Sequence, residues 1–82
     1  MYVSVTQEHI RQGYPGQGSY CALALAIREQ LPEAKYVNVS HSGVVLIDDI
    51  RYIMDELGHN FVMAYDFTPG LVLPCTITLV ED

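Results

Sequence analysis

Two cysteines and three histidines, set among ten acidic residues, are the groups in this 82-residue chain with the chemistry for nucleophilic or acid–base work. Cys21 is the most pointed of them. It follows the loop Gly13-Tyr14-Pro15-Gly16-Gln17-Gly18 and lies where an apolar helix begins. In the first turn of a helix, backbone N–H groups and the helix dipole favour a thiolate. With His59 as base and Gln17 donating to an oxyanion, such a thiolate would attack an acyl carbon. The competing and preferred reading is a small buried thiol in an alanine-rich helix.

The same loop suggests a second chemistry. Glycines at 16 and 18 let backbone come close to a ligand, and the helix entrance beyond them attracts anions. An anionic small molecule would then meet Tyr14, Gly16, Gly18, Ser19, Tyr20 and Cys21, with Tyr14 or Tyr20 stacking on a base. The lysine and spacing of a P-loop are missing, and an ordinary turn plus a helix cap accounts for the same residues. Metal chemistry finds no support: His9, His41, His59, Cys21 and Cys75 are isolated, with no pair at ligand spacing. Asp48 and Asp49 are adjacent carboxylates, but a tight turn explains them better than acid–base catalysis. No cofactor is expected.

The elements that must position these groups are legible in part. Tyr2 to Val5 alternates and reads as a strand; Thr6 caps a brief helix that Gly13 stops. Ser19 is the expected cap of the main helix, Tyr20 to about Leu31, which Pro32 ends. Cys21 to Ile27 leaves no polar face, so that helix must be covered on every side. Tyr36–Ser40 and Val44–Ile47 read as strands. Residues 50–66 allow either one helix capped by Asp49 or a strand followed by a helix. The hairpin with Asp48-Asp49 as its turn is preferred, because Gly58 sits badly inside a long helix. Asp55 or Asn60 would then cap a helix that carries Leu57, Phe61, Val62 and Tyr65 inward and stops at Thr68-Pro69-Gly70. Leu71 to Val80 closes the chain as a strand, with Pro74 confining its first half to an edge or bulge.

Length allows one domain, residues 1–82, and a marginal core that a homo-oligomer would reinforce. A net charge of −6 argues against nucleic acid as a partner and is compatible with a basic protein surface, although solubility is the commoner reason for such a charge. Two cysteines are too few for a disulfide scaffold, so both are expected reduced. No signal-peptide pattern and no apolar run of about 20 residues is present, so neither export nor a membrane is expected.

Taken in order, Val5-Thr6-Gln7-Glu8-His9-Ile10, Cys21-Ala22-Leu23-Ala24-Leu25, Ile47-Asp48-Asp49-Ile50-Arg51-Tyr52, Phe61-Val62 with Tyr65-Asp66-Phe67, Gly70, and Val72 with Pro74 resemble a family of small uncharacterised proteins encoded by bacteriophages of actinobacteria. The pattern departs from that family at Ala22, where proline is expected, and at Thr76, where an aromatic is expected. The resemblance implies a hairpin followed by a helix over residues 44–66, and a phage accessory role in host takeover or anti-defence within the host cytoplasm. Separately, Gly58-His59-Asn60-Phe61-Val62-Met63 is similar to the histidine segment of papain-like cysteine peptidases. Against that likeness, Cys21 and His59 are only 38 positions apart, Gln17 lies too near Cys21, and Phe61–Tyr65 reads as helix rather than strand.

The expected fold is therefore α+β: a small, mainly antiparallel sheet of four or five short strands on one central apolar helix, with one or two shorter helices. The expected function is non-enzymatic binding that blocks a host protein or sequesters a small anionic signalling nucleotide. A cysteine hydrolase using Cys21, His59 and Gln17 is the alternative, and a self-assembling structural protein the third.

Overall fold

A computed structural model describes all 82 residues. The strands are β1 (Tyr2–Val5), β2 (Val37–Val39), β3 (Val44–Ile47), β4 (Ile50–Met54) and β5 (Cys75–Glu81). The helices are α1 (Gln7–Gln12), α2 (Ala22–Gln30) and α3 (Glu56–Phe67), followed by a short 3-10 turn at Pro69–Leu71. One antiparallel sheet runs β1-β5-β4-β3-β2. Its inner face carries Val3, Val5, Ile77, Leu79, Met54, Val45, Ile47, Val37 and Val39, all buried, at alternate positions along each strand.

Helix α2 packs against both β1 and β2, the two edge strands, so the sheet curls around it. That geometry is why α2 has no polar residue before Arg28. Ala22, Leu23, Ala24, Ala26 and Ile27 are all buried, and the alanines let the strands approach closely. The helix begins two residues later than Ser19 would set it. Backbone bonds from Gln17 to Tyr14, from Tyr20 to Gln17 and from Tyr14 to Tyr20 close the loop into turns first. Cys21 is the residue at the cap, and Ala22 holds the first helical position, where proline is readily accepted.

The β3–β4 hairpin forms as the alternation requires, with Ile47 opposite Ile50 and Val45 opposite Tyr52. Asp48 takes a left-handed conformation (φ 54°), and its Oδ1 accepts N–H bonds from Lys35 and Tyr36 at 2.9 and 3.0 Å. That carboxylate therefore fixes the turn to the start of β2. Asp55 caps α3, accepting from Gly58 N–H at 2.8 Å. Phe61, Val62 and Tyr65 face inward as expected, whereas Leu57 is exposed. It lies about a quarter turn from the stripe those residues and Gly58 define. At 12 residues α3 is longer than the 9-residue central helix. The last strand starts at Cys75, not Leu71, and is an interior strand: Pro74 stands just before it, where its missing N–H breaks no ladder.

Gly58 looks like a helix breaker but is needed where it sits. A Cβ there would stand 2.4 Å from Ile77 Cγ2 and 2.9 Å from Asp55 Oδ1, so α3 rests on β5 through bare backbone. Gly58→Ala is expected to destabilise the fold by about 1–3 kcal/mol through overpacking, despite alanine's better helix propensity. A lowered urea midpoint with an unchanged slope would show it; a midpoint at or above that of the parent chain would contradict it.

Candidate functional site

The loop before α2, the β2–β3 turn and the last turns of α3 converge on a cavity of about 320 Å³ lined by Gly16, Gln17, Gly18, Cys21, Val39, His41, Val62 and Asp66. Each lining residue is placed by a local cause. Cys21 is set by the delayed start of α2, Val39 and Val62 by the inward faces of β2 and α3, and His41 by the turn Ser40-His41-Ser42-Gly43, where Gly43 is left-handed (φ 93°). The loop is drawn in at Gly18, whose carbonyl accepts from Val39 N–H at 2.8 Å. A Cβ on Gly18 would stand 2.5 Å from Asn38 Oδ1.

Asp66 organises the cavity. Its Oδ1 accepts from Gly16 N–H at 2.8 Å and its Oδ2 pairs with His41 Nε2. The loop's glycine amide is thus already satisfied by a carboxylate of the chain itself. A phosphate placed there would displace Asp66 and then face it at close range, which disfavours an anion at this end of the cavity.

Of the residues the sequence singled out, Gly16, Gln17, Gly18 and Cys21 meet at the cavity. Tyr14, Ser19 and Tyr20 do not line it. Tyr14 and Tyr20 are exposed; Tyr20 lies 5.5 Å from the Arg28 guanidinium, and Ser19 gives its carbonyl to Arg28 Nε at 3.2 Å. His59 is also outside it. Its Nε2 lies 2.6 Å from the His41 carbonyl and can only donate there, so His59 supports the turn that carries His41. The imidazole that joins Cys21 in the cavity is His41. Sequence spacing does not reveal it, because His41 and Asp66 are joined only by tertiary structure. The one signal was a histidine in a short polar turn between two strands.

His9 is spent elsewhere. Its Nδ1 accepts from Thr6 N–H at 3.0 Å, which places the ring proton on Nε2, 3.3 Å from Glu29 Oε1. No group of three or more His, Cys, Asp or Glu residues is arranged to hold a metal ion. No helix is long and apolar enough to cross a membrane.

Cys21 is 3 % exposed. Burial pushes its thiol up, the amides of Ala24 and Leu23 at the helix entrance pull it partly back, and the Asp66 charge adds to the rise. Cys75 is raised by burial and by Asp55, and the Tyr65 phenol by burial, Cys21 and Asp66. Neither cysteine is in a disulfide. In the folded state all three groups therefore hold their protons longer than in the unfolded chain. Their contribution to stability is complete below the ordinary thiol value of 9.0 and is lost as pH climbs through the raised folded values. The urea midpoint is expected to fall as pH rises above the ordinary thiol value of 9.0, and Cys21→Ala to flatten that fall. A parent midpoint that stays constant over that rise would contradict it.

Comparison with known protein families, with curated proteins and with solved structures finds no match.

Proposed function

We propose that this protein is a non-enzymatic binding protein that sequesters a small molecule in the cavity at the entrance of α2. The observation that carries this reading is the convergence of three separate chain segments on one 320 Å³ cavity whose wall combines Gly16 and Gly18 backbone, Gln17, Cys21 and the His41–Asp66 pair. Few convergent polar groups in a part-apolar hollow are the usual make-up of a ligand site. The protonated resting state of Cys21 favours binding over turnover. Because Asp66 occupies the loop amide, the part of the ligand held there is neutral, such as a base edge or an acyl group, with any phosphate directed outward. The phage resemblance supplies the context, an accessory protein that removes a signalling compound of the host cytoplasm.

Thermal shift against a panel of nucleotides, nucleosides and acyl-bearing metabolites tests this. A ligand at a hundredfold excess over Kd stabilises by about 2.7 kcal/mol. In a domain of this size that is on the order of 10 °C in Tm. The shift should vanish in Gln17→Ala/His41→Ala, and a flat response across the panel would sink the reading.

One observation favours a protein partner as the second reading. Phe67, Leu71 and Leu73 are 71, 80 and 76 % exposed within seven residues, next to the cavity's Asp66. Large apolar side chains so exposed and so close in sequence are a common mark of an interface. Recovery of a host protein by the parent chain but not by Phe67→Ser/Leu71→Ser would support that reading. A second copy of this chain docking there would instead appear as concentration-dependent sedimentation.

A further inference from the structure

All three helices lie on one side of the sheet. Helix α2 packs on β1 and β2, α1 packs on α2, and α3 meets the sheet through the inward-facing Ile77, which leaves the opposite face to solvent. Side chains alternate along a strand, so the neighbours of the buried residues point outward there. On the three central strands four of them are aliphatic and adjacent. Val80 stands opposite Ile53, Ile53 opposite Val44, and Leu46 is the next outward residue on β3. Val80 is 63 % exposed and Ile53 38 %. The edge strands present Tyr2, Ser4 and Asn38 instead. Because the sheet curls around α2, its outer face is convex, and the aliphatic four stand on the crown, where another surface touches first.

Charge decides what meets that crown. The chain carries ten acidic residues and a net charge of −6, yet none of the acids holds an outward position on the five strands. The one charge there, Arg51, is paired at 2.9 Å with Asp82, just past β5. A strongly basic or acidic partner finds nothing to grip. Two copies that approach through acid-bearing surfaces repel one another, and through this face they do not. We propose that the outer face of the sheet is the contact surface of a homodimer, with Val44, Leu46, Ile53 and Val80 of one copy packed on the same four residues of the other about a two-fold axis. A patch that meets its own image is the usual arrangement of homodimers, and packed sheets lie about 10 Å apart. Five strands about 4.8 Å apart, at about 3.3 Å per residue, give this face roughly 20 by 20 Å in plan. That is less than the ~800 Å² each partner gives to a standard interface, so the dimer is reversible, in the micromolar range. No outward strand residue lines the cavity, so each copy keeps its own cavity open, and the two readings stand independently.

Sedimentation velocity of the full chain from about 1 to 500 μM tests this. The parent chain should pass from monomer to dimer across that range. Ile53→Glu should weaken the dimer about a hundredfold, since it sets an acid against its own image in a dry contact. Val80→Glu, at the more exposed position, carries the test if Ile53→Glu does not fold. Circular dichroism at the lowest concentration shows which variants keep the parent's structure. Phe67→Ser/Leu71→Ser, away from the sheet, should leave the dimer intact. Salt gives a second readout: it screens the repulsion between two acidic copies and should tighten the dimer. A parent chain that stays monomeric throughout would overturn the proposal, as would a dimer that survives the folded glutamate variants or is lost in Phe67→Ser/Leu71→Ser. So would a dimer that loosens in salt, because ion pairs would then be holding it.

Discussion

Leu23→Ala is expected to lower the free energy of unfolding by about 2–5 kcal/mol, the usual cost of removing a fully buried leucine and leaving a cavity. Leu23 is 0 % exposed in the second helical position of α2, the element around which the sheet curls. Collapse to fill the space is restricted, because α2 touches both edge strands and movement toward one opens a gap at the other. Small domains have only about 5–15 kcal/mol of stability in total. This one substitution therefore removes a large share of it. The measurement is a urea titration followed by far-ultraviolet circular dichroism. A loss below about 1 kcal/mol would show that the sheet does not enclose α2 on both flanks.

Gly13→Ala should be of comparable severity for the opposite reason. Gly13 ends α1, where its φ of −72° suits any residue, so conformational strain is not at issue. Space is. An added Cβ would stand 2.5 Å from Tyr65 Oη, 2.7 Å from Ala22 N and 3.0 Å from the Cys21 carbonyl carbon. Two of those three are backbone at the entrance of α2 and cannot swing aside. The third belongs to a buried tyrosine whose hydroxyl donates to the Ile10 carbonyl at 3.0 Å and whose ring stacks on Phe61. Relief would have to come from moving α1 away from α2 or breaking the Tyr65 bond. An unpartnered buried carbonyl costs about 1–3 kcal/mol, and overpacking about 1–3 kcal/mol in its own right. Tyr65→Phe made in both backgrounds provides the check: it should cost less in Gly13→Ala than in the parent chain, since there it also removes the nearest clashing atom. An equal cost in the two backgrounds would show that the clash is not with the hydroxyl.

Elements set by local patterning were readable from sequence, and features set by long-range approach were not. The strands at Tyr2–Val5 and Val44–Ile47, the Asp48-Asp49 turn and the apolar first turns of α2 follow from period and turn chemistry over a few residues. Gly58 pointed correctly to the hairpin, but its role inside α3 lies in the distance to Ile77 on β5, which no local propensity encodes. Ser19 is a better cap than Cys21 by residue type, but the turns through Tyr14, Gln17 and Tyr20 consume the backbone before a helix can start there. The cavity divides the same way. Its near side, Gly16 to Cys21, is one stretch of chain with recognisable chemistry, whereas its far side, His41 and Asp66, is assembled across the fold. A choice between His41 and His59 needed the direction in which each ring points, and that is decided by a carboxylate and a carbonyl distant in sequence.

The placement of β5 between β1 and β4 governs the order in which the molecule can come into being. As the chain leaves the ribosome, β2, β3 and β4 can pair as soon as each emerges, since each neighbours the next. The first strand has no such neighbour: Tyr2 to Val5 must wait for Cys75 to Thr78, the partners in its register. Until then α2 has an open flank where β1 belongs, and its apolar residues are accessible to chaperones and to other nascent chains. Folding is therefore completed only after release of the last strand, and the rate of that closing step, slowed by its large sequence separation, sets how long the newborn protein is vulnerable.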